Sequence, residues 1–88
     1  MPGIARVGID SAGGVITGGM QGLVTINGAP VSVVGDDVAG HGTGSHAGPK
    51  MAQGSSLFTI NGIPVCLAGH RASCGHEASG DAKHTCSR

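Results

Sequence analysis

The sequence predicts an all-β protein of short strands and tight turns. Three observations carry that prediction. Eighteen of the 88 residues are Gly, and the longest runs without one are Asp81–Arg88 and Ser55–Asn61. A helix of ordinary length would therefore carry an interior Gly at a cost of about 1 kcal/mol. Between the glycines stand Val, Ile, Thr and Leu, which suit a pleated, half-buried surface. The dipeptide Asn-Gly then occurs twice, at Asn27-Gly28 and Asn61-Gly62. It is the strongest short hairpin signal, because both residues tolerate positive φ.

In chain order, the first element is Pro2-Gly3-Ile4-Ala5-Arg6-Val7-Gly8, a short apolar segment between turn residues. Leu23-Val24-Thr25-Ile26-Asn27-Gly28-Ala29-Pro30-Val31 follows, and it returns 34 positions later as Leu57-Phe58-Thr59-Ile60-Asn61-Gly62-Ile63-Pro64-Val65. Each copy alternates apolar and polar residues up to its turn, as a hairpin with one buried face does. Each continues into a further strand, Val31-Ser32-Val33-Val34 or Val65-Cys66-Leu67-Ala68, ending at Gly35 or Gly69. The segments Pro2–Gly8, Pro30–Gly35 and Pro64–Gly69 thus predict a body with approximate internal three-fold symmetry, each unit adding strands to a shared core.

Each full unit is followed by metal-ligand chemistry. Gly40-His41-Gly42-Thr43-Gly44-Ser45-His46 carries two histidines spaced H-x4-H, and Cys74-Gly75-His76 a C-x-H pair. Three imidazoles and a thiolate complete a tetrahedral zinc shell, and the H-x4-H spacing lies within the range of structural zinc sites. Gly42 and Gly44 let the first loop fold tightly enough to aim both rings at one point. Cys74 and His76, two apart, share a face where the backbone is extended. The expected ligands of a single structural Zn2+ are therefore His41, His46, Cys74 and His76. The bland alternative is a set of solvated loop histidines and a free thiol; the pairing of the two spacings favours ligation.

Other histidines and cysteines compete for the role. His70 occupies the repeat position of Asp36, which favours turn closure or hydrogen bonding to a ligand. The pair His84-Thr85-Cys86 near the C-terminus would serve only if the tail returned to the site, and chain ends are the least ordered part of most domains. Cys66 falls inside an apolar strand and reads as an inert core thiol.

Composition narrows the function. A chain of 88 residues with one aromatic residue, Phe58, makes one domain (1–88, with 81–88 as a C-terminal tail) and buries little area per side chain. A metal or a partner is expected to add stability. Formal net charge is zero with five scattered Lys and Arg, which argues against nucleic acid. Neither a membrane-spanning run nor a signal-peptide core is present. Three cysteines fit thiols made in a reducing compartment better than a secreted disulfide framework. The expectation is a product made in the cytoplasm, without stable membrane insertion and with no attached toxin domain beyond the repeats.

The N-terminal Pro-Gly-Ile-Ala-Arg-Val-Gly, both Ile-Asn-Gly-x-Pro-Val turns with their strands, Val34-Gly35-Asp36-Asp37 and Ser73-Cys74-Gly75-His76 together resemble the PAAR-repeat family. These are small proteins that cap the spike of type VI secretion systems and related contractile tails. The resemblance implies a short cone whose flat base docks on a trimeric VgrG-type spike, one copy per trimer. It also implies an apex with one zinc held by three histidines and one cysteine, at the positions of His41, His46, Cys74 and His76. Effector cargo is a further partner of such proteins, and ejection with the spike their destination. The chain departs from the family in three ways. None of its Pro segments spells Pro-Ala-Ala-Arg, His70 stands where Asp usually follows the final Gly, and the last repeat is cut short, so that Asp81–Arg88 has no clear counterpart. Two readings from other classes compete. One is a small zinc-binding adaptor with an unrelated partner. The other is a zinc hydrolase in which water replaces one ligand and Glu77 or His70 acts as base.

Overall fold

The computed structural model describes residues 2–86. Eight short strands make up its regular structure: β1 (Gly3–Ile4), β2 (Ile16–Gly18), β3 (Thr25–Ile26), β4 (Ala29–Pro30), β5 (Asp37–Val38), β6 (Thr59–Ile60), β7 (Ile63–Pro64) and β8 (Asp81–Thr85). The one helical feature among the described residues is a 3-10 turn over Gly44–His46. No helix is long and apolar enough to cross a membrane. The all-β expectation holds.

Both Asn-Gly hairpins form with two-residue turns. Asn27 and Asn61 each adopt φ 52°, with Gly28 at 86° and Gly62 at 79°. Positive φ at both central positions matches the right-handed twist of the flanking strands. The register follows, with Thr25 opposite Pro30 and Thr59 opposite Pro64.

Beyond these hairpins the chain closes on itself. Ala5 N–H donates to the Cys66 carbonyl at 3.0 Å, Cys66 N–H to Ser32 at 2.8 Å, and Ser32 N–H to Ala5 at 2.9 Å. The next bonds run round the ring in the opposite sense: Val7 to Pro30 at 2.7 Å, Val34 to Pro64 at 2.9 Å, Ala68 to Gly3 at 2.7 Å. Each of three segments therefore donates to and accepts from both of its neighbours, which leaves no edge among them. In this pattern Gly3, not Pro2, takes the place of Pro30 and Pro64. The Pro2–Gly8 alignment is thus off by one at its start, while Gly8, Gly35 and Gly69 do correspond.

Side chains alternate across the ring. Ile4, Val31, Val33, Val65 and Leu67 enter a lower cluster with Ile26 and Ile60, while Ala5 and Cys66 enter an upper one with Ala12, Ile16, Val38, Met51, Ala72 and Ala78. The period of two along each segment thus divides the core into two layers. The lower layer packs against the Asn-Gly hairpins. The upper layer lies inside three further hairpins, closed by Ser11 opposite Val15, Asp37 opposite Lys50, and Arg71 opposite Glu77.

One turn type launches all three upper hairpins. Asp10, Asp36 and His70 each direct a side-chain acceptor at the N–H of Arg6, Val33 and Leu67, at 2.9, 2.8 and 2.9 Å. Each also receives, on its backbone carbonyl, the N–H of Ile16, Met51 or Ala78. The turn-closing role expected of His70 is the one it takes. The first unit has one residue more, Ile9, between Gly8 and Asp10.

The C-terminal segment, given no counterpart by the sequence, has one in the fold. β8 pairs antiparallel with β1, Gly3 opposite Thr85 and Ile4 opposite Asp81. Thr85 faces Gly3 as Thr25 faces Pro30 and Thr59 faces Pro64. The C-terminal strand thus supplies the outer strand that the first unit lacks. Arg6 ties it in, with its guanidinium on Asp10 at 2.8 Å and Asp81 at 3.4 Å.

Candidate metal centre

The tips of the three upper hairpins meet, and they differ in what they carry. The first is short, Ala12-Gly13-Gly14, with Ala12 N–H donating to Gly14. The second runs from Val38 to Pro49 and holds His41 and His46. The third runs from Ala72 to His76 and holds Cys74 and His76.

Local backbone bonds set the second loop. His41 N–H donates to the His46 carbonyl at 2.8 Å, which folds the H-x4-H segment into a closed loop with its two rings adjacent. Gly44, at φ 62°, turns the chain into the 3-10 turn that delivers His46. Gly42 leaves room for that turn, since a Cβ there would lie 3.0 Å from the His46 Cβ. In the third hairpin, Gly75 at φ 92° reverses the chain between the two donors, and Ala72 N–H closes the loop on the His76 carbonyl at 2.9 Å.

The four expected residues converge. Their donor atoms all lie within 4.8 Å of one another, three of the residues being half-buried and His76 exposed. Nε2 of His41 is at the centre of the set, 3.1 Å from Nδ1 of His46, 2.9 Å from Nδ1 of His76 and 3.6 Å from Sγ of Cys74. Bond lengths of about 2.0–2.1 Å to nitrogen and 2.3 Å to sulfur in a tetrahedron require about 3.3 Å between nitrogens and about 3.6 Å between sulfur and nitrogen. The three distances from Nε2 of His41 are within a few tenths of an ångström of those spacings, and with all four donors inside 4.8 Å the cluster could hold a metal ion.

Tautomers are consistent with ligation. Nδ1 of His41 lies 3.1 Å from the Ala39 carbonyl. A carbonyl only accepts, so Nδ1 carries the proton and Nε2 presents its lone pair to the cluster, the orientation that outer partners commonly impose on a metal-bound His. Three ring centroids lie 4.8–5.0 Å apart in tilted or edge arrangements, so the nitrogens, rather than ring faces, point inward.

The rival donors lie elsewhere. Nδ1 of His70 accepts from Leu67 N–H. Nδ1 of His84 lies 2.8 Å from Asp81, and Cys86 packs against the lower layer near Ser55. Cys66 is fully buried, its thiol pushed up to about 12 chiefly by burial; it is inert, as its strand position implies.

Sequence reasoning missed Gly13. It adopts φ 87°, and a Cβ built on it would overlap Nδ1 of His76 and lie 2.7 Å from Nε2 of His41. A Cβ on Gly14 would collide with the Ala39 carbonyl that holds His41. Gly13 leaves the space between the donors open, as an ion there requires, and Gly14 leaves room for the carbonyl that holds His41.

Against this geometry, the PAAR motif model matches residues 9–77. The chain belongs to the PAAR motif family. That family is associated with the spike tips of type VI secretion systems and is one of structural proteins rather than enzymes. No curated protein matches the chain. The match runs from the first upper hairpin through Glu77, so it includes all four converging residues and both Asn-Gly hairpins.

Proposed function

We propose that this PAAR protein is the tip that caps and sharpens the trimeric VgrG-type spike of a contractile injection machine, one chain per trimer. Its apex is pinned by one structural Zn2+ on His41, His46, Cys74 and His76. The observation that carries the reading is the cyclic bonding of Ala5, Ser32 and Cys66. A single chain that presents the same strand three times around an axis can seat on a three-fold partner without a symmetry mismatch.

The two ends then divide the work. The molecule measures 32 × 23 × 22 Å. Cys74 of the metal cluster packs against the upper layer, and Ile26 and Ile60 of the Asn-Gly hairpins belong to the lower one, which supports an apex and a base at opposite ends. At the base, Leu23 and Leu57, equivalent across the repeat, are 79% and 69% exposed. They give the apolar surface a spike would cover. β3 and β6 each pair on one side only, which leaves edges on which a β-structured spike can continue.

At the apex, a closed tetrahedron of three imidazoles and a thiolate suits zinc and leaves no position for substrate water. The bound ion cross-links two loops rich in Gly. Structural zinc contributes an apparent 10–16 kcal/mol or so in small domains, against a total domain stability of about 5–15 kcal/mol. The hydrolase alternative finds no support in a cluster where all four donors converge. The protein is made in the cytoplasm in this account and leaves with the spike. Co-purification with a spike trimer at one copy per three spike chains tests it. Failure to bind any such trimer, with the metal site intact, returns the chain to the adaptor class.

A further inference from the structure

The three upper hairpins contribute unequally to the metal site, and the inequality assigns a role to the one that carries no donor. The second and third hairpins bring two donors each. The first brings Gly13, whose Cβ direction runs into the cluster, overlapping Nδ1 of His76 and reaching 2.7 Å from Nε2 of His41. We propose that Gly13 is the specificity-determining residue of the metal site, the position at which the first hairpin closes the coordination shell at four by presenting backbone where the other hairpins present ligands. This rests on the metal reading above and extends it.

Any side chain at Gly13 begins in the volume between two donors, so it must displace His76, the exposed member of the set, or expel the ion. A metal that prefers six ligands would need two more donors, and on this side it meets only the peptide of Gly13-Gly14. An ion content with four ligands is held best. The positive φ of Gly13 is a separate matter, since the left-handed conformation strains an L-residue wherever it occurs.

Gly75 separates the two effects. It has φ 92°, close to the 87° of Gly13, yet a Cβ there meets nothing within 4 Å. Gly75→Ala therefore pays the backbone strain alone, and Gly13→Ala pays it together with the intrusion.

Affinity for Zn2+ by competition with a chelating dye, and the visible bands of bound Co2+, are to be measured for the full chain, both variants, His76→Ala and the double variant Gly13→Ala/His76→Ala. The expected result is that Gly75→Ala binds within about tenfold of the parent. Gly13→Ala should lose more than the roughly 10–100-fold that removal of an outer-shell partner causes, together with the intense tetrahedral Co2+ bands. In the double variant, Gly13→Ala should add less to the loss from His76→Ala than it costs alone, because its severest overlap is with that ring. Equal affinities for Gly13→Ala and Gly75→Ala overturn the proposal, as do fully additive losses, which mark a general folding defect. A parent chain that binds neither metal overturns the metal reading itself, and this inference with it.

Discussion

His70 and Asp36 close equivalent turns with different chemistry: Nδ1 of His70 takes the N–H of Leu67 at 2.9 Å, and the Asp36 carboxylate takes that of Val33 at 2.8 Å. To accept at Nδ1 the imidazole must be neutral. His70→Asp should therefore retain stability at neutral pH, whereas His70→Ala leaves the Leu67 N–H without its side-chain acceptor and should cost about 1–3 kcal/mol. Urea unfolding of the two variants checks this. Equal losses in both would mean that the ring, not its acceptor atom, matters.

Closure by the C-terminal strand predicts sensitivity at Gly3. A Cβ there would collide with the backbone of Asp81, so Gly3→Ala must push β8 away from β1 and should cost about 1–3 kcal/mol, as overpacking does. Thermal unfolding gives the magnitude, and amide exchange should show the loss concentrated at Ile4 and Cys86, whose N–H donates to Pro2 at 3.0 Å.

Acid should weaken the same junction. Burial raises the Asp10 carboxyl, but hydrogen bonds from Arg6 and Ser79 outweigh it and leave it below its ordinary value of 3.8. Asp81 is likewise lowered from 3.8, first by the Lys83 N–H and then by His84. Carboxyls depressed on folding add stability that is complete above their unfolded values and lost as pH falls through the folded ones. Metal-free protein should therefore lose stability below about pH 4, and Asp10→Asn should flatten that fall. Metal-free protein is the right sample, because acid also protonates the ligands. An unchanged acid limb in the variant would remove Asp10 from the account.

How far the sequence carries can be judged at particular residues. Asn27-Gly28 and Asn61-Gly62 announce their hairpins through local backbone chemistry, and the spacing of His41, His46, Cys74 and His76 announces the cluster in which they converge. Turn closure by His70 was legible from its repeat partner. What was not legible depends on distant geometry. Asp81–Thr85 is mostly polar and has no strand pattern, and its partner lies at the other end of the chain. The extra Ile9 hides the equivalence of Asp10 with Asp36. Gly13 matters because it lacks a side chain, and among eighteen glycines nothing in composition marks one as special.

Removing the metal should separate the two layers. Chelation should speed amide exchange at His41, His46 and Ala72, while Ala5, Ser32 and Cys66, bonded to one another around the ring, stay protected. Identical thermal stability with and without metal would contradict a structural ion.

The base makes its own prediction. Leu23→Lys with Leu57→Lys, both exposed, should leave unfolding within about 0.5 kcal/mol per site of the parent and abolish capture by a spike trimer in a pull-down. Undiminished capture would move the docking surface elsewhere.

The central claim is a closed four-ligand zinc apex, and X-ray absorption at the zinc edge tests it most directly. One zinc per chain is expected, with three nitrogen neighbours at about 2.0–2.1 Å and one sulfur at about 2.3 Å. A shell without sulfur, a six-coordinate shell, or no stoichiometric metal would contradict it.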